Sequence, residues 1–221
     1  MVSGIFVGFA GFFGRVLRLP SLLFLVVQVL LYPLTAVAAP SDPKTTVESA
    51  VAEIVTILTD EGLAEPAKED ERYGKVVGVV EKFFDFNQIS MRTLGPRWRE
   101  LTPNERVEFV ALFKKFLERN YIERVDGYAG QQVEIKGQEI RSDSRGNSFA
   151  MVSTDFLMQD RAVPVNYRLL LQDGRWMVYD VDVEGVSLVR NFRTQFDPYP
   201  FPELVRRMEE SVATGEELEQ K

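Results

Sequence analysis

Apolar residues in the first third of the chain recur at helical spacing. Val47, Val51, Ile54, Val55 and Leu58 fall three or four apart, which predicts an amphipathic helix over 45–59. Gly62 to Pro66 interrupts it. A second helix is predicted over 67–84, with Tyr73, Val76, Val77, Val80 and Phe84 on its buried side. Gly74 and Gly78 weaken that helix by roughly 1 kcal/mol each and are candidates for close packing. Asp85 is placed to cap a short helical piece that Gly95-Pro96 ends. Thr102-Pro103-Asn104-Glu105 reads as a capping box with proline in the first turn. The long helix behind it carries Phe109, Leu112, Phe113, Phe116, Leu117, Tyr121, Ile122 and Val125, and Gly127 and Gly130 close it.

From Gln132 the period changes to two. Four strands are predicted over 132–141, 147–158, 162–172 and 175–184, with turns at 142–146, 159–161 and 173–174. Asp173-Gly174 supplies the positive φ angles of a two-residue hairpin. Ser187 is placed to cap a helix carrying Leu188, Phe192 and Phe196 on one side, and a last helix covers 202–212. Helices first and a run of strands second is an α+β pattern. The fold expected is a set of N-terminal helices on a curved four-stranded antiparallel sheet, followed by C-terminal helices.

The N-terminus changes the domain picture. Arg15 and Arg18 precede the apolar run Leu22 to Leu34, and Ala36-Val37-Ala38 forms a small-x-small site, so residues 1–38 read as a signal peptide. A retained anchor is the alternative, although the run is shorter than the roughly 20 residues of a span. The remainder, 39–221, fits one domain: a helical part over about 45–130, a sheet over about 132–185 and C-terminal helices over about 187–213. Residues 1–38 hold two arginines and no acids, so the exported part carries 24 basic and 33 acidic residues, a net charge of −9. That balance argues against nucleic acid, which requires concentrated Lys and Arg. The chain has no Cys and no His. Thiol chemistry, the Ser-His-Asp triad and the commonest zinc ligand are thereby excluded.

Two clusters of polar residues invite a chemical reading. Asp180, Asp182 and Glu184 alternate along one strand, which puts all three on one face if the strand is regular. A solvated outer face is the expectation for them, with Val181 and Val183 towards the core. Acid–base work and Ca²⁺ ligation are the functional readings. A bulge near Glu184-Gly185 would turn Glu184 towards Arg190 or Arg193. Among the arginines Arg97, Arg99, Arg190 and Arg193, the last two stand one helical turn apart and are candidates for a phosphate, or for pairing with local acids. Lys114-Lys115 reads as the solvated side of the long helix. The aromatic load fits either a filled core or a hollow one.

A resemblance narrows this choice. The tract Tyr179-Asp180-Val181 to Val183-Glu184-Gly185-Val186-Ser187-Leu188-Val189, followed by Asn191-Phe192-Arg193 and Gln195-Phe196, resembles the periplasmic phospholipid-binding proteins of the Mla pathway, the MlaC or toluene-tolerance family. Phe84-Asp85-Phe86, Met91, Leu94-Gly95, Trp98-Arg99, Thr102-Pro103, Glu105-Arg106, Phe109, Phe113, Tyr121, Val163, Val165, Tyr167-Arg168 and Gly174-x-Trp176 extend it over most of 47–205. Asn166 and Asn191-Phe192-Arg193 are close variants of the expected pattern.

The resemblance implies a monomeric periplasmic carrier, not an enzyme, with no cofactor or metal and with phospholipid as its ligand. Acyl chains would occupy an apolar cavity between sheet and helices. The implied partners are an inner-membrane ABC transporter complex and an outer-membrane lipoprotein–porin complex. The residues expected to line the pocket are Phe83, Phe113, Phe116, Val152, Tyr167, Leu169, Trp176, Val178, Val183, Val186 and Leu188, with Arg190 and Arg193 near a head group. A rival reading is an isomerase- or dehydratase-like pocket enzyme using Asp155, Asp180 and Tyr167. Another is an adaptor domain with a filled core.

Overall fold

The computed structural model describes residues 42–121, 132–215 and 218. Asp42 starts the first helix, α1 (Pro43–Leu58), by accepting from the Thr45 N–H at 3.2 Å. Gln138 ties that helix start to the first strand. Its side-chain amide donates to Asp42 at 2.7 Å, and its carbonyl oxygen accepts from the Lys44 N–H at 2.9 Å. Two short 3₁₀ turns lead to α2 (Glu69–Phe83). Its glycines are not close-packing positions: a Cβ at Gly74 or Gly78 would meet nothing within 4 Å.

Asp85 caps α3 (Phe86–Leu94), accepting from the Gln88 N–H at 2.9 Å. Gly95 ends it at φ 58°. The Arg193 guanidinium lies against this turn, and a Cβ at Gly95 would come within 2.5 Å of it. Only glycine meets both conditions. The capping box forms as expected ahead of α4 (Pro103–Tyr121): Glu105 accepts from the Thr102 N–H at 2.7 Å, and Thr102 Oγ1 accepts from the Glu105 N–H at 3.3 Å. Ile122, Val125, Gly127 and Gly130 lie outside the described residues.

The sheet holds β1 (Gln132–Ser142), β2 (Ser148–Leu157), β3 (Ala162–Gln172), β4 (Arg175–Val183) and β5 (Val186–Ser187), paired in that order and antiparallel throughout. Among the described residues there are thus five strands where the pattern predicted four. The extra strand is two residues long and returns through Glu184 and Gly185, at φ 51° and 86°. Asp173 and Gly174 take φ 48° and 77° in the β3–β4 hairpin, a region that Asp tolerates and that glycine, lacking a Cβ, adopts freely.

Register sorts the side chains into two faces. Val152, Tyr167 and Val181 form one cross-strand row, flanked by Ala150, Leu169 and Val178, and by Thr154, Val165 and Val183. The opposite face carries Ser153, Asn166 and Asp182, and beside them Met151, Arg168 and Asp180. Tyr179 is the extra residue of a bulge in β4, because Arg168 pairs with Asp180 while Leu169 pairs with Val178. Arg92 stacks over the Tyr179 ring at 4.1 Å, and Phe149 meets its edge at 6.2 Å. A second bulge interrupts β1 near Lys136.

After β5 the chain forms α5 (Leu188–Phe196) and α6 (Phe201–Thr214). Arg97 fastens their connection to the turn after α3, donating to the Tyr199 carbonyl at 2.6 Å and the Phe196 carbonyl at 3.1 Å. Three apolar clusters result. α3 to α6 enclose Ile89, Phe109, Phe113, Phe116, Phe192, Phe196, Leu204 and Met208. α1 covers the sheet over Val47, Ala150, Val152, Leu169, Trp176 and Val178. Ala50, Val79 and Phe83 join α1 to α2. Phe84 packs against all three.

Candidate functional site

The β4 edge is covered in two places. Phe84 bridges to Val178, with the Asp85 N–H donating to the Val178 carbonyl at 2.9 Å, and β5 pairs with Asp182 and Val183. Between those pairings, Asp180 and Val181 reach a cavity of about 210 Å³. Its other walls are Val76, Val77 and Val80 of α2, Phe84, Phe86 and Ile89 leading into α3, Leu117 and Tyr121 of α4, and Leu188 at the start of α5. Lys114 and Glu118 complete the α4 wall. Apart from these two and Asp180, the lining is hydrophobic. Such a site offers no recognition of a polar substrate over most of its surface and accepts hydrocarbon.

α2 faces two ways to make this wall. Val79 and Phe83 turn to α1, while Val76, Val77 and Val80 turn to the cavity. The adjacent valine pairs in the sequence widen the apolar arc beyond what one packing face requires, and that is the signal for a second face.

Of the residues expected to line a pocket, Leu188 stands in this wall. Phe83 and Trp176 border a separate, more open hollow of about 300 Å³ together with Thr45, Ser49, Glu53, Lys82 and Arg175. Phe113 and Phe116 are packed inside the helical cluster, and Val152, Leu169 and Val178 inside the cluster under α1, with Tyr167 against it. Val183 and Val186 are 43% and 60% exposed at the β4–β5 turn. Arg190 is exposed on α5, and Arg193 covers the Gly95 turn.

The acidic ladder departs from expectation. Asp180 and Asp182 are 6% and 7% exposed rather than solvated. The chain after Glu184 folds back over them. Asp180 accepts from Ser187 Oγ at 2.7 Å and from the Val189 N–H at 3.0 Å, and Arg168 stands 3.6 Å away. Ser187 in turn accepts from the Arg190 N–H at 3.1 Å. Asp182 accepts from the Gly185 N–H at 2.9 Å. Both carboxylates therefore serve the turn and the start of α5, where negative charge is favoured. Glu184 pairs with Arg161 at 2.7 Å, not with Arg190 or Arg193. Lys114 likewise departs from expectation by lining the cavity.

Asp155, Asp180 and Tyr167 do not converge. Tyr167 shares a face with Val152 and Val181, whereas Asp180 shares the opposite face with Met151 and Arg168. Asp155 stands 3.4 Å from Lys136 and opposite Pro164. Burial pushes the Tyr167 phenol up to about 12. The folded state therefore holds that proton more tightly than the unfolded chain, whose phenol titrates near 10. The associated stability is fully present below pH 10 and is lost as pH rises towards 12, at most about 2–3 kcal/mol. Urea titrations at pH 9.5 and 12 should show a larger loss for the wild type than for Tyr167→Phe. Equal losses would mean that the phenol is solvated.

No group of three potential metal ligands occurs among the described residues, and no described helix is long and apolar enough to cross a membrane. The model of the family described as MlaC protein matches residues 48–199. The chain belongs to that family. A similar curated MlaC relative is the intermembrane phospholipid transport system binding protein of Haemophilus influenzae. It is 19% identical over 156 residues, spanning 66% of this chain and 72% of that protein. Among solved structures, the phospholipid-binding protein from Ralstonia solanacearum, determined with a phospholipid, superposes with a TM-score of 0.66. It is 22% identical and covers 79% of this chain and 99% of its own. That likeness shows a shared fold.

Proposed function

We propose that this protein is a phospholipid carrier that holds acyl chains in the cavity between α2 and α4 and moves lipid between the inner and outer membranes. The observation that carries the reading is an almost wholly apolar cavity in a chain of the MlaC family. Each methylene exposed to water costs about 0.8 kcal/mol, so two acyl chains cost on the order of 20 kcal/mol. That cost prevents unaided transit through water, and a hydrocarbon-lined cavity offsets it in proportion to the length of chain it takes up. No covalent step is needed. The chains enter as α2 and α4 part, remain during diffusion, and leave when a second apolar site takes them. The relatives' names motivate the same assignment. Under this reading residues 1–38 direct export to the periplasm and are removed. Lipid would pass between an outer-membrane lipoprotein–porin complex and an inner-membrane ABC transporter complex.

The test is organic extraction and mass spectrometry of the protein purified from a bacterial periplasm without detergent. Phospholipid is expected at a fixed stoichiometry near one. A folded protein free of lipid, and remaining so after incubation with phospholipid vesicles, would overturn the carrier reading.

A further inference from the structure

The second hollow, of about 300 Å³, shares no lining residue with the apolar cavity. It stands where α1, the end of α2 and the start of β4 meet, and its wall differs in kind. Glu53, Lys82 and Arg175 border it together with Ser49, Phe83 and Trp176. Lys82 pairs with Glu53 at 2.5 Å and stands 4.8 Å from the Phe83 ring centroid. Arg175 donates to the Lys82 carbonyl at 3.2 Å, at the end of α2. These bonds fasten α1 to α2 and close a helix end, yet they leave most of the donors unused. Among the described residues Arg175 pairs with no carboxylate, and the Ser49 hydroxyl has no hydrogen bond. Trp176 is 5% exposed. Its indole N–H has no acceptor among the described residues, and it is not sealed from water. A buried indole N–H ordinarily has a partner.

We infer that this hollow is a binding site for a small aromatic monocarboxylate, with the Trp176 N–H turned into it. The site is independent of the carrier reading, because the hollow is distinct from the cavity between α2 and α4. Two cations and one carboxylate leave its wall one positive charge in excess, which a single arriving carboxylate balances. One carboxylate oxygen accepts from the Arg175 guanidinium, and the other accepts from the Trp176 N–H and the Ser49 hydroxyl. The aromatic body lies against Phe83 and Trp176 and removes apolar area from water. A dicarboxylate would set its second charge beside Glu53. A neutral amide would forgo the attraction of Arg175, and inorganic phosphate would gain nothing from the apolar walls.

The probe is benzoate, titrated at pH 7 into ¹⁵N-labelled protein purified from a bacterial periplasm. The chain has two tryptophans, Trp98 and Trp176, so two indole N–H signals appear in a ¹H–¹⁵N spectrum, and Trp98→Phe assigns them. Benzoate is expected to shift the Trp176 signal saturably and to leave the Trp98 signal in place, while benzamide and inorganic phosphate move neither. Arg175→Gln should weaken benzoate binding roughly tenfold, the worth of one charge-assisted hydrogen bond. Ser49→Leu, which fills part of the hollow and leaves Arg175 intact, should weaken it at least as much. Circular dichroism would show that each variant is folded. No saturable shift of Trp176 below about 50 mM benzoate overturns the site. Equal shifts with benzamide would mean an apolar crevice that does not read charge, and equal shifts with phosphate a site that does not read the ring. Either result overturns the assignment, as does wild-type affinity in both folded variants.

Discussion

Replacing Val77 by Trp should leave a folded protein that carries less than about one-tenth of the wild-type phospholipid. Val77 is half-buried on α2 and lines the cavity of about 210 Å³. An indole there projects into empty space, where it buries area of its own. Unfolding in urea is therefore expected to be unchanged or slightly more stable. Two positions further along the same helix the outcome reverses. Val79 is packed with Ala50 and Phe83, and an indole there would overpack the contact with α1, at about 1–3 kcal/mol. The pair separates loss of a binding space from loss of a fold. Full lipid content in folded Val77→Trp, measured by extraction and mass spectrometry, would show that the acyl chains sit elsewhere.

Phe113→Ala should produce the largest loss of stability. Phe113 is fully buried and touches the rings of Phe109, Phe116, Phe192 and Phe196 at centroid distances of 5.4–6.3 Å. It joins α4 to α5, and the space it leaves is closed on every side. Truncating a ring in such a site costs about 3–5 kcal/mol. For a domain of this size, that lowers the melting temperature by roughly 10 °C. Well below the transition, the lipid held per folded molecule should not change, because Phe113 lies inside the helical cluster and outside the cavity wall. A variant that melts like the wild type yet loses its lipid would place Phe113 in the binding surface instead.

These two residues illustrate which parts of the molecule were legible in the sequence. Local chemistry was readable. Thr102 and Glu105 make the capping box, Asp173-Gly174 makes the hairpin turn, and Ser187 starts α5, each through bonds that span a few residues. The order of helices and strands followed from the same signals. The cavity wall was not readable, because it depends on how two helices meet. Phe113 and Leu117 stand one turn apart on the apolar side of α4, yet one fills the core and the other faces the cavity. Their spacing is the same in either case. Lys114 looked like a solvated residue for the same reason.

Asp180 shows a different limit. Strand parity alone places it with Trp176 and Val178, but the bulge at Tyr179 moves it to the face of Arg168. The turn at Glu184-Gly185 then brings Ser187 and Val189 over it. Alternation along one strand contains neither event. The resemblance to the MlaC family identified this tract as a signature without indicating that its acids organise a helix start.

The two margins of the sheet are closed by different means. At β4 the margin is occupied by backbone, from Phe84 and from β5. At β1 eleven residues form the other margin, and most of their side chains are exposed. There Glu134, Lys136, Glu139 and Arg141 crowd the strand, a bulge breaks its line, and Gln138 is already engaged by the start of α1. A foreign strand adding to β1 would have to cross the bulge and bury those charges. Extension of the sheet from one molecule to the next is therefore disfavoured at both margins, whatever the state of the cavity.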